Sequence, residues 1–423
     1  MRQFEVSKTK DYLLRNGKPF FYLADTVWAA FANLPLDRWG PYLRYRKMQG
    51  FNAIQISILP VAHDASTSVT NVDPFWRDAN GQWDVSRLND GYFDRAEEMV
   101  QMAVDAGFVP VLGVLWKCYV PKTGACERSP EKTGMSLENM RAYVAYAVRR
   151  FKKFDPIFFI SGDTEWNHDE EVTYYLEALE ITKRECPDAL LSMHLATGRD
   201  LPLIFEERVD FYMYQSGHGL EQKTPYLSAQ KHYNSTLKRP VVNSEPCYEG
   251  HGKVKTPSRL RFDAFDMRKA TWQSLLSGAK MGMAYGAHGV WSCHFEGMGF
   301  VNPSRKFVPY DWEVGVRLDG AWDVAYAKWV WEQYDLLDIE PSDRVMSEDE
   351  AVRLSVNKDV SKVVLYTPCA YDMDVAIDLS GYTCTLIDLT NRRHTVPVVE
   401  AGEVSRIGMN TFNGDALFIA VKE

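Results

Sequence analysis

The stretch Arg239-Pro-Val-Val-Asn-Ser-Glu-Pro-Cys-Tyr-Glu-Gly250 decides how the rest of the chain is interpreted. Its apolar pair, Val241 and Val242, predicts a short buried strand of the kind found inside parallel sheets. The strand ends at Glu245, because Pro246 cannot continue a hydrogen-bonded ladder. A carboxylate is costly to desolvate, so its position at the end of a buried strand predicts a functional residue at the C-terminal rim of an α/β barrel.

Apolar runs and helical patterns alternate eight times before residue 343. The predicted strands are residues 19–25, 51–58, 108–116, 157–161, 190–194, 209–214, a seventh from Val241, and 282–285. Such an alternation with right-handed crossovers predicts a closed (β/α)8 TIM barrel. An open doubly wound sheet is the alternative, but it needs a Gly-rich phosphate loop after the first strand. Ala24-Asp-Thr-Val-Trp28 is not such a loop, and the barrel is favoured.

The pattern changes at residue 343. Short apolar runs separated by turn signals such as Asn413-Gly414 predict a small antiparallel β-sandwich. Its predicted strands are residues 352–356, 363–366, 375–377, 385–389 and 417–421. We therefore predict an α/β chain of two domains, a catalytic barrel over 1–342 and an accessory sandwich over 343–423.

Composition excludes several classes of partner. The net charge of −9 argues against nucleic acid, which binds to basic surfaces. No apolar run approaches the roughly 18 residues of a membrane span, so no membrane partner is predicted. The first eight residues contain no signal peptide, which predicts a cytoplasmic protein, or a secreted or periplasmic one if a leader was removed. The seven cysteines lack C-x-x-C spacing and are expected to be free thiols. The oligomeric state stays open.

A second carboxylate, Asp163, ends the apolar run Ile157-Phe-Phe-Ile-Ser-Gly-Asp163. The fourth and seventh strands of a barrel lie on opposite sides of its rim, so Asp163 and Glu245 are expected to face each other across one pocket. Two facing carboxylates predict glycoside hydrolysis, with Asp163 as the acid and Glu245 as the nucleophile. Glu165 is a rival for the acid, but Gly162 lets the backbone turn at the rim and favours Asp163. A gap of about 5–5.5 Å would imply retention of configuration, and about 6.5–9.5 Å inversion.

Aromatic and polar side chains near the other strand ends form a candidate carbohydrate-binding ring. Each has a structural alternative, and for Asp25 the alternative is an ion pair with an arginine near the rim. The predicted binding residues are Asp25, Trp28, Gln55, Trp116, Glu165, Trp166, His194, Tyr214, His218, Tyr248 and Trp291. His288 and His294 are further candidates. No metal site and no cofactor are predicted.

Four motifs resemble the apiosidase-like glycoside hydrolases, family 140 and its relatives. They are Phe21-Tyr-Leu-Ala-Asp-Thr-Val-Trp28, Gly50-Phe-Asn-Ala-Ile-Gln55, Ile160-Ser-Gly-Asp163 and Val242-Asn-Ser-Glu-Pro-Cys-Tyr-Glu249. The resemblance covers about residues 10–340 and extends to the small C-terminal sandwich. It implies a barrel that hydrolyses glycosidic bonds of plant or microbial glycans, with the catalytic carboxylates at Asp163 and Glu245. Family members often have Gly-Gly-Asp where this chain has Ser161-Gly-Asp163, and Glu165 is an additional acid.

The sequence thus predicts a retaining glycoside hydrolase that acts on a small glycan, with the long polar segment 59–88 setting the sugar and the linkage. One alternative is a catalytically inactive carbohydrate-binding barrel, which would keep Trp28, Trp116 and Trp166. Another is a metal-dependent hydrolase. Barrels of that class usually carry His-x-His on the first strand, and Tyr22-Leu-Ala-Asp25 lacks it.

Overall fold

A parallel barrel forms the centre of the computed structural model, which describes residues 3–61, 69–129, 131, 133–253, 260–299, 307–409 and 412–422. Its eight strands are Tyr22–Thr26, Ala53–Ser57, Val109–Trp116, Ile157–Gly162, Leu191–Ser192, Tyr212–Gln215, Val241–Glu245 and Gly282–Tyr285. Consecutive strands pair in parallel except between the fifth and the sixth, and the eighth pairs with the first. A bridge between His194 and Met213 joins the fifth strand to the sixth, so the ring closes. The predicted (β/α)8 barrel is confirmed.

Each barrel strand is followed by a helix. In order these helices are Leu36–Gln49, Asp90–Asp105, Leu137–Phe151, Asp169–Glu185, Leu203–Glu206, Thr224–Tyr233, Ala264–Leu275 and Gly320–Gln333. Shorter α-helical turns cover Ala30–Asn33, Gly124–Glu127 and Trp312–Gly315, and 3-10 turns cover Lys117–Tyr119, Lys152–Phe154 and Leu336–Asp338. Within the described ranges, no helix combines the length and the apolar character that crossing a membrane requires.

Local sequence sets the ends of these helices. The Ser136 side chain accepts a hydrogen bond from the backbone N–H of Asn139 and begins the helix Leu137–Phe151. Gly50 ends the helix Leu36–Gln49 with φ of 101°, a left-handed conformation in which a β-carbon would be strained. Both helix ends agree with the sequence signals. The first barrel strand begins at Tyr22 and not at residue 19 as predicted, because Lys18–Phe20 pairs with Leu13–Arg15 in a separate sheet.

The C-terminal strands form two antiparallel sheets. The larger sheet consists, in spatial order, of Glu340–Ser342, Arg353–Val356, Lys362–Thr367, Ala416–Lys422, Tyr382–Asp388 and Arg393–Thr395. The smaller consists of Val345–Met346, Met373–Val375, Ser405–Ile407 and Val399–Glu400. The predicted sandwich is present, and its first strand begins at Glu340. Outside barrel and sandwich lie a sheet of Phe4–Val6, Leu13–Arg15 and Lys18–Phe20 and a hairpin of Phe75–Arg77 and Trp83–Leu88.

A buried arginine connects the sandwich to the barrel. Arg268, on the helix Ala264–Leu275, donates through Nε and Nη2 to the carboxylate of Asp415, at 2.9 Å each. Its Nη1 donates to Asp323 Oδ2 at 2.8 Å. Asp323 lies on the helix Gly320–Gln333 and also accepts from Arg392 of the sandwich at 3.1 Å. These four buried or half-buried charges therefore fix how the two domains meet.

Asp415→Ala is expected to lower the free energy of unfolding by about 3–5 kcal/mol, because it leaves Arg268 buried with an incomplete set of acceptors. Urea denaturation followed by circular dichroism measures this change. The matched control is Asp374→Ala, which removes a partner of Arg406 at 3.5 Å in an exposed pair of the same sandwich. Its effect should stay below about 1 kcal/mol. Equal losses in the two variants would contradict the assignment of Asp415 as a domain-connecting residue.

Candidate active site

A cavity of about 860 Å³ opens where the barrel strands end. Ligand pockets of enzymes span about 300–1,000 Å³, so its volume suits a small substrate. Four aromatic side chains lie on its wall: Trp28, Trp116, Tyr248 and Trp291. Asp163 and Glu245 line the same cavity, so the structure brings together the two carboxylates that the sequence placed on the fourth and seventh strands.

Glu245 is almost completely buried, with 6% of its surface exposed. His194 Nε2 lies 3.2 Å from Glu245 Oε2, and His218 Nε2 lies 3.5 Å from Oε1. Burial alone would raise the pKa of Glu245, but the hydrogen bonds and the positive potential of the two imidazoles outweigh it and hold the pKa well below the ordinary value. Glu245 is therefore an ionised carboxylate inside the protein.

The two imidazoles are themselves oriented. The backbone N–H of Tyr248 donates to His218 Nδ1 at 3.3 Å, so in a neutral ring the hydrogen is carried by Nε2, the atom nearest Glu245. His194 Nδ1 lies 3.1 Å from the hydroxyl oxygen of Ser244. His194 is fully buried and is absent from the described lining of the cavity, contrary to its prediction as a binding residue, so it acts on Glu245 by contact.

Asp163 occupies a strained position at the end of the fourth strand. Its φ of 55° is left-handed, a conformation uncommon outside glycine. Its Oδ1 accepts a hydrogen bond from Gln215 Nε2 at 3.3 Å and lies 4.0 Å from His194 Nε2. This left-handed backbone conformation occurs where the Asp163 carboxylate reaches the cavity.

Gly162 has a different role from the one predicted. The positive φ belongs to Asp163, and Gly162 instead packs against the indole of Trp116. A β-carbon at residue 162 would lie 2.2 Å from a ring atom of Trp116, which is closer than real contacts allow. The glycine therefore lets Trp116, a wall residue of the cavity, lie flat against the strand that carries Asp163.

Asp163, His194 and Glu245 are also the described group best placed to approach a metal ion, since one ligand atom of each lies within 4.8 Å of the others. Zinc binds carboxylates and imidazoles at about 2.0–2.2 Å, so tetrahedral neighbours are about 3.4 Å apart. His194 Nε2 and Asp163 Oδ1 are 4.0 Å apart, which is too far for such neighbours without movement. The three side chains fit a hydrogen-bonded carboxylate–histidine cluster better than a preformed zinc site.

Other predicted binding residues lie on the cavity wall. Trp28 Nε1 donates to the hydroxyl of Tyr248 at 2.8 Å, and its ring centroid is 5.3 Å from that of Trp116. Glu165 also lines the cavity, but Lys117 Nζ lies 3.3 Å from one of its oxygens and Asn167 donates to the other at 2.9 Å. This rival acid is thus engaged by two donors. The wall residues from the predicted set are Trp28, Trp116, Glu165, His218, Tyr248 and Trp291.

Asp25 and Gln55 are absent from the described lining of the cavity, contrary to their prediction as binding residues. Asp25 is fully buried and pairs with Arg46 Nε at 2.5 Å, the ion-pair alternative considered for it. Gln55 accepts from Tyr22 at 2.7 Å and donates to the carbonyl oxygen of Ser244 at 2.9 Å. Both side chains satisfy polar groups inside the barrel below the cavity.

Trp166 and Tyr214 are likewise absent from the described lining. The ring of Trp166 stacks on Phe205 at 4.9 Å between centroids, on the outer side of the strand end. Tyr214 points towards the next helix, where its hydroxyl donates to the carbonyl oxygen of Pro225 at 2.9 Å. Of the further histidine candidates, neither His288 nor His294 appears among the described wall residues.

Several wall residues were not predicted from sequence. Gln215 follows Tyr214, and the segment after it supplies much of one side of the cavity. The unpredicted residues are Lys117, Ala196, Thr197, Arg199, Gln215, Gly219, Leu220, Glu221, Gln222, Lys223, Thr224 and His251. The two glycines that flank His218 were the available signal for a loop here. From segment 59–88, Val61 lines the cavity, while residues 62–68 lie outside the described residues.

The titration of Glu245 is expected to depend on His218. In ¹³C-labelled protein, with Glu245→Gln to assign the resonance, the carboxylate should titrate below the ordinary value of 4.5. His218→Leu removes one N–H donor and should raise that midpoint, whereas His218→Gln can keep a donor and should raise it less. The same Glu245 midpoint in the unsubstituted protein, His218→Leu and His218→Gln would contradict the role of His218.

Comparison with known proteins addresses the family and the fold of the chain. The profile of the family described as "Apiosidase-like, catalytic domain" matches residues 7–338. A search of the curated proteins finds no significant match. A solved structure described as a glycoside hydrolase superposes with a TM-score of 0.82 and 18% identity, over 100% of this chain and 97% of that one. A family 5 glycoside hydrolase from Bacteroides vulgatus superposes with a TM-score of 0.83 and 18% identity, over 99% of this chain and 93% of that one.

The structural likeness, at identities below a fifth, supports the barrel with its C-terminal sandwich. The family profile covers most of the chain and includes both carboxylates of the cavity. The chain therefore belongs to the apiosidase-like family, and it is a glycoside hydrolase.

Proposed function

We propose that this glycoside hydrolase cleaves glycosidic bonds of plant or microbial glycans with retention of configuration, using Asp163 as general acid/base and Glu245 as nucleophile. The observation that carries the proposal is the spacing of the two carboxylates, one oxygen of each lying within 4.8 Å of the other. Retaining enzymes place their carboxyl groups about 5–5.5 Å apart, whereas inverting enzymes leave about 6.5–9.5 Å for a water. The spacing therefore favours direct attack by a carboxylate.

The electrostatics support the same division of roles. A nucleophile must be ionised before substrate binds, and the two imidazoles hold the pKa of Glu245 below its ordinary value despite burial. In the first step Glu245 attacks the anomeric carbon while protonated Asp163 gives its proton to the departing glycosidic oxygen. The C–O bond of the substrate breaks as an ester bond to Glu245 forms, and the leaving group departs as an alcohol.

In the second step Asp163 is a carboxylate and takes a proton from water. As it loses that proton, the water oxygen attacks the anomeric carbon, and the ester bond to Glu245 breaks. Glu245 returns to its carboxylate form and Asp163 to its acid form, so protons and charges balance over the cycle. Two displacements at one carbon give overall retention.

The cavity wall supports a sugar as the group that is bound. Trp28, Trp116, Tyr248 and Trp291 offer apolar faces for the C–H surface of a furanose or pyranose ring. Charged groups such as Lys117 and Arg199 lie on the same wall and can donate to hydroxyls. The combination of flat apolar faces and hydrogen-bond donors is the chemistry that glycans require.

Asp163→Asn and Glu245→Gln are expected to remove activity for different reasons. Loss of the general acid should cost about 10²–10⁴-fold in turnover, and less on aryl glycosides whose leaving group needs little protonation. Loss of the nucleophile should abolish turnover on both kinds of substrate. Glu165→Gln, the matched control at the rival acid, should change turnover less than about tenfold. A panel of aryl furanosides and pyranosides provides the assay.

The alternatives give other outcomes in that assay. An inactive carbohydrate-binding barrel would bind glycans without turning over any member of the panel, and neither carboxylate variant would matter. A metal-dependent hydrolase would lose activity in a chelator and regain it with zinc. Inverted configuration of the freshly released sugar, read by proton NMR, would contradict the assignment of Glu245 as nucleophile.

A further inference from the structure

Gln215 is the unpredicted wall residue that contacts the acid/base directly. It lies at the end of the sixth strand, largely buried, and lines the cavity. Its Nε2 donates to Asp163 Oδ1 at 3.3 Å. Among the described residues, this amide makes the one side-chain hydrogen bond to the Asp163 carboxylate. The hydrogen bond from Gln215 therefore acts on Oδ1 of Asp163.

The orientation of the amide is determined by its other end. Gln215 Oε1 accepts from the backbone N–H of Thr197 at 2.8 Å and from the Thr197 hydroxyl at 2.6 Å. A backbone N–H can only donate, so the amide oxygen must face Thr197 and the amide nitrogen must face Asp163. Gly217 packs against Thr197, where a β-carbon would lie 2.3 Å from the hydroxyl oxygen. The two hydrogen bonds from Thr197 therefore fix the orientation of the Gln215 amide.

A β-bulge aims Gln215 into the cavity. Tyr214 pairs with Asn243, but Gln215 pairs with Glu245, so Ser244 is an extra residue on the seventh strand. Bulges of this kind redirect side chains and occur next to active sites. Here the irregularity brings Gln215 level with Glu245, while the side chain of Tyr214 points to the neighbouring helix. The sixth strand therefore presents its last residue to the site.

We propose that Gln215 is a positioning residue for Asp163, holding Oδ1 through its N–H and leaving Oδ2 to carry the proton that is passed to the leaving group. The proposal rests on the acid/base role given to Asp163 above. An amide does not titrate near neutral pH, so Gln215 can donate in both steps without competing for the proton. It steadies the carboxylate that must act as base in the second step.

Other groups also act on Asp163, and their signs differ. Glu245, with an oxygen within 4.8 Å, favours the protonated acid through like charge. His194, whose Nε2 is 4.0 Å away, favours the carboxylate if it carries a proton. The hydroxyls of Tyr175 and Tyr248 lie close enough for electrostatic interaction with Asp163. Gln215 adds a neutral donor that favours the ionised form against the effect of Glu245.

The test is the pH dependence of kcat/KM, whose basic limb reports loss of the general acid's proton. Gln215→Leu removes the donor to the Asp163 carboxylate at nearly constant volume, so the basic limb should move to higher pH by about half to one unit. Thr197→Val frees one end of the amide and should move it less, in the same direction. Gln273→Leu is the matched control, because it removes a buried amide that donates to Ala351, remote from the cavity.

A basic limb that stays in place in Gln215→Leu while KM rises would show an ordinary substrate contact and overturn the proposal. If Gln215→Leu does not fold, a basic limb of the kcat/KM profile that stays in place in Thr197→Val would also overturn the proposal. The ¹³C titration of Asp163, assigned with Asp163→Asn, gives a readout that needs no turnover. Absence of any glycosidase activity would reject the proposed function, whereas an unchanged Asp163 midpoint in folded Gln215→Leu would reject the role of Gln215.

Discussion

The carboxylate of Glu245 sits among apolar and aromatic groups, and two imidazoles compensate its charge. His194 follows the fifth strand and His218 the sixth, while Glu245 ends the seventh, so one buried charge connects three successive strand ends. His194 also provides the bridge to Met213 that closes the barrel between the fifth and sixth strands. His194, which contacts the proposed nucleophile Glu245, is therefore part of the closure of the fold.

A polar layer inside the barrel supports this arrangement from below. Gln55 links the first, second and seventh strands through Tyr22, Thr26 and the carbonyl oxygen of Ser244. The ion pair of Asp25 and Arg46 satisfies two charges beneath the rim. Burying such groups is costly unless every partner is present, so the layer holds the strand ends in one geometry. The substrate then meets side chains whose positions are set before it binds.

The eight-fold alternation, the sandwich and both carboxylates of the cavity could be predicted because each follows from an apolar run and the residue that ends it. The side chains around them could not, because they depend on local departures from regular strands. The left-handed Asp163 and the bulge at Ser244 change which residues face the cavity. The prediction chose Tyr214 because it lies near the end of the sixth strand, whereas Gln215 lines the cavity in the structure. Asp25 and Gln55 look like binding residues in sequence because polar residues that make contacts inside the barrel have the same chemistry as those on the cavity wall.

The central claim is that Glu245 forms a covalent bond to the sugar, and trapping that bond tests it most directly. An activated 2-deoxy-2-fluoro glycoside of a sugar that the enzyme hydrolyses should slow the second step and leave the glycosyl group on the protein. Mass spectrometry of the digested protein should find it on the peptide that contains Glu245, and Glu245→Gln should remain unlabelled. Label on Asp163 or Glu165, or turnover with inversion and no adduct, would contradict the account.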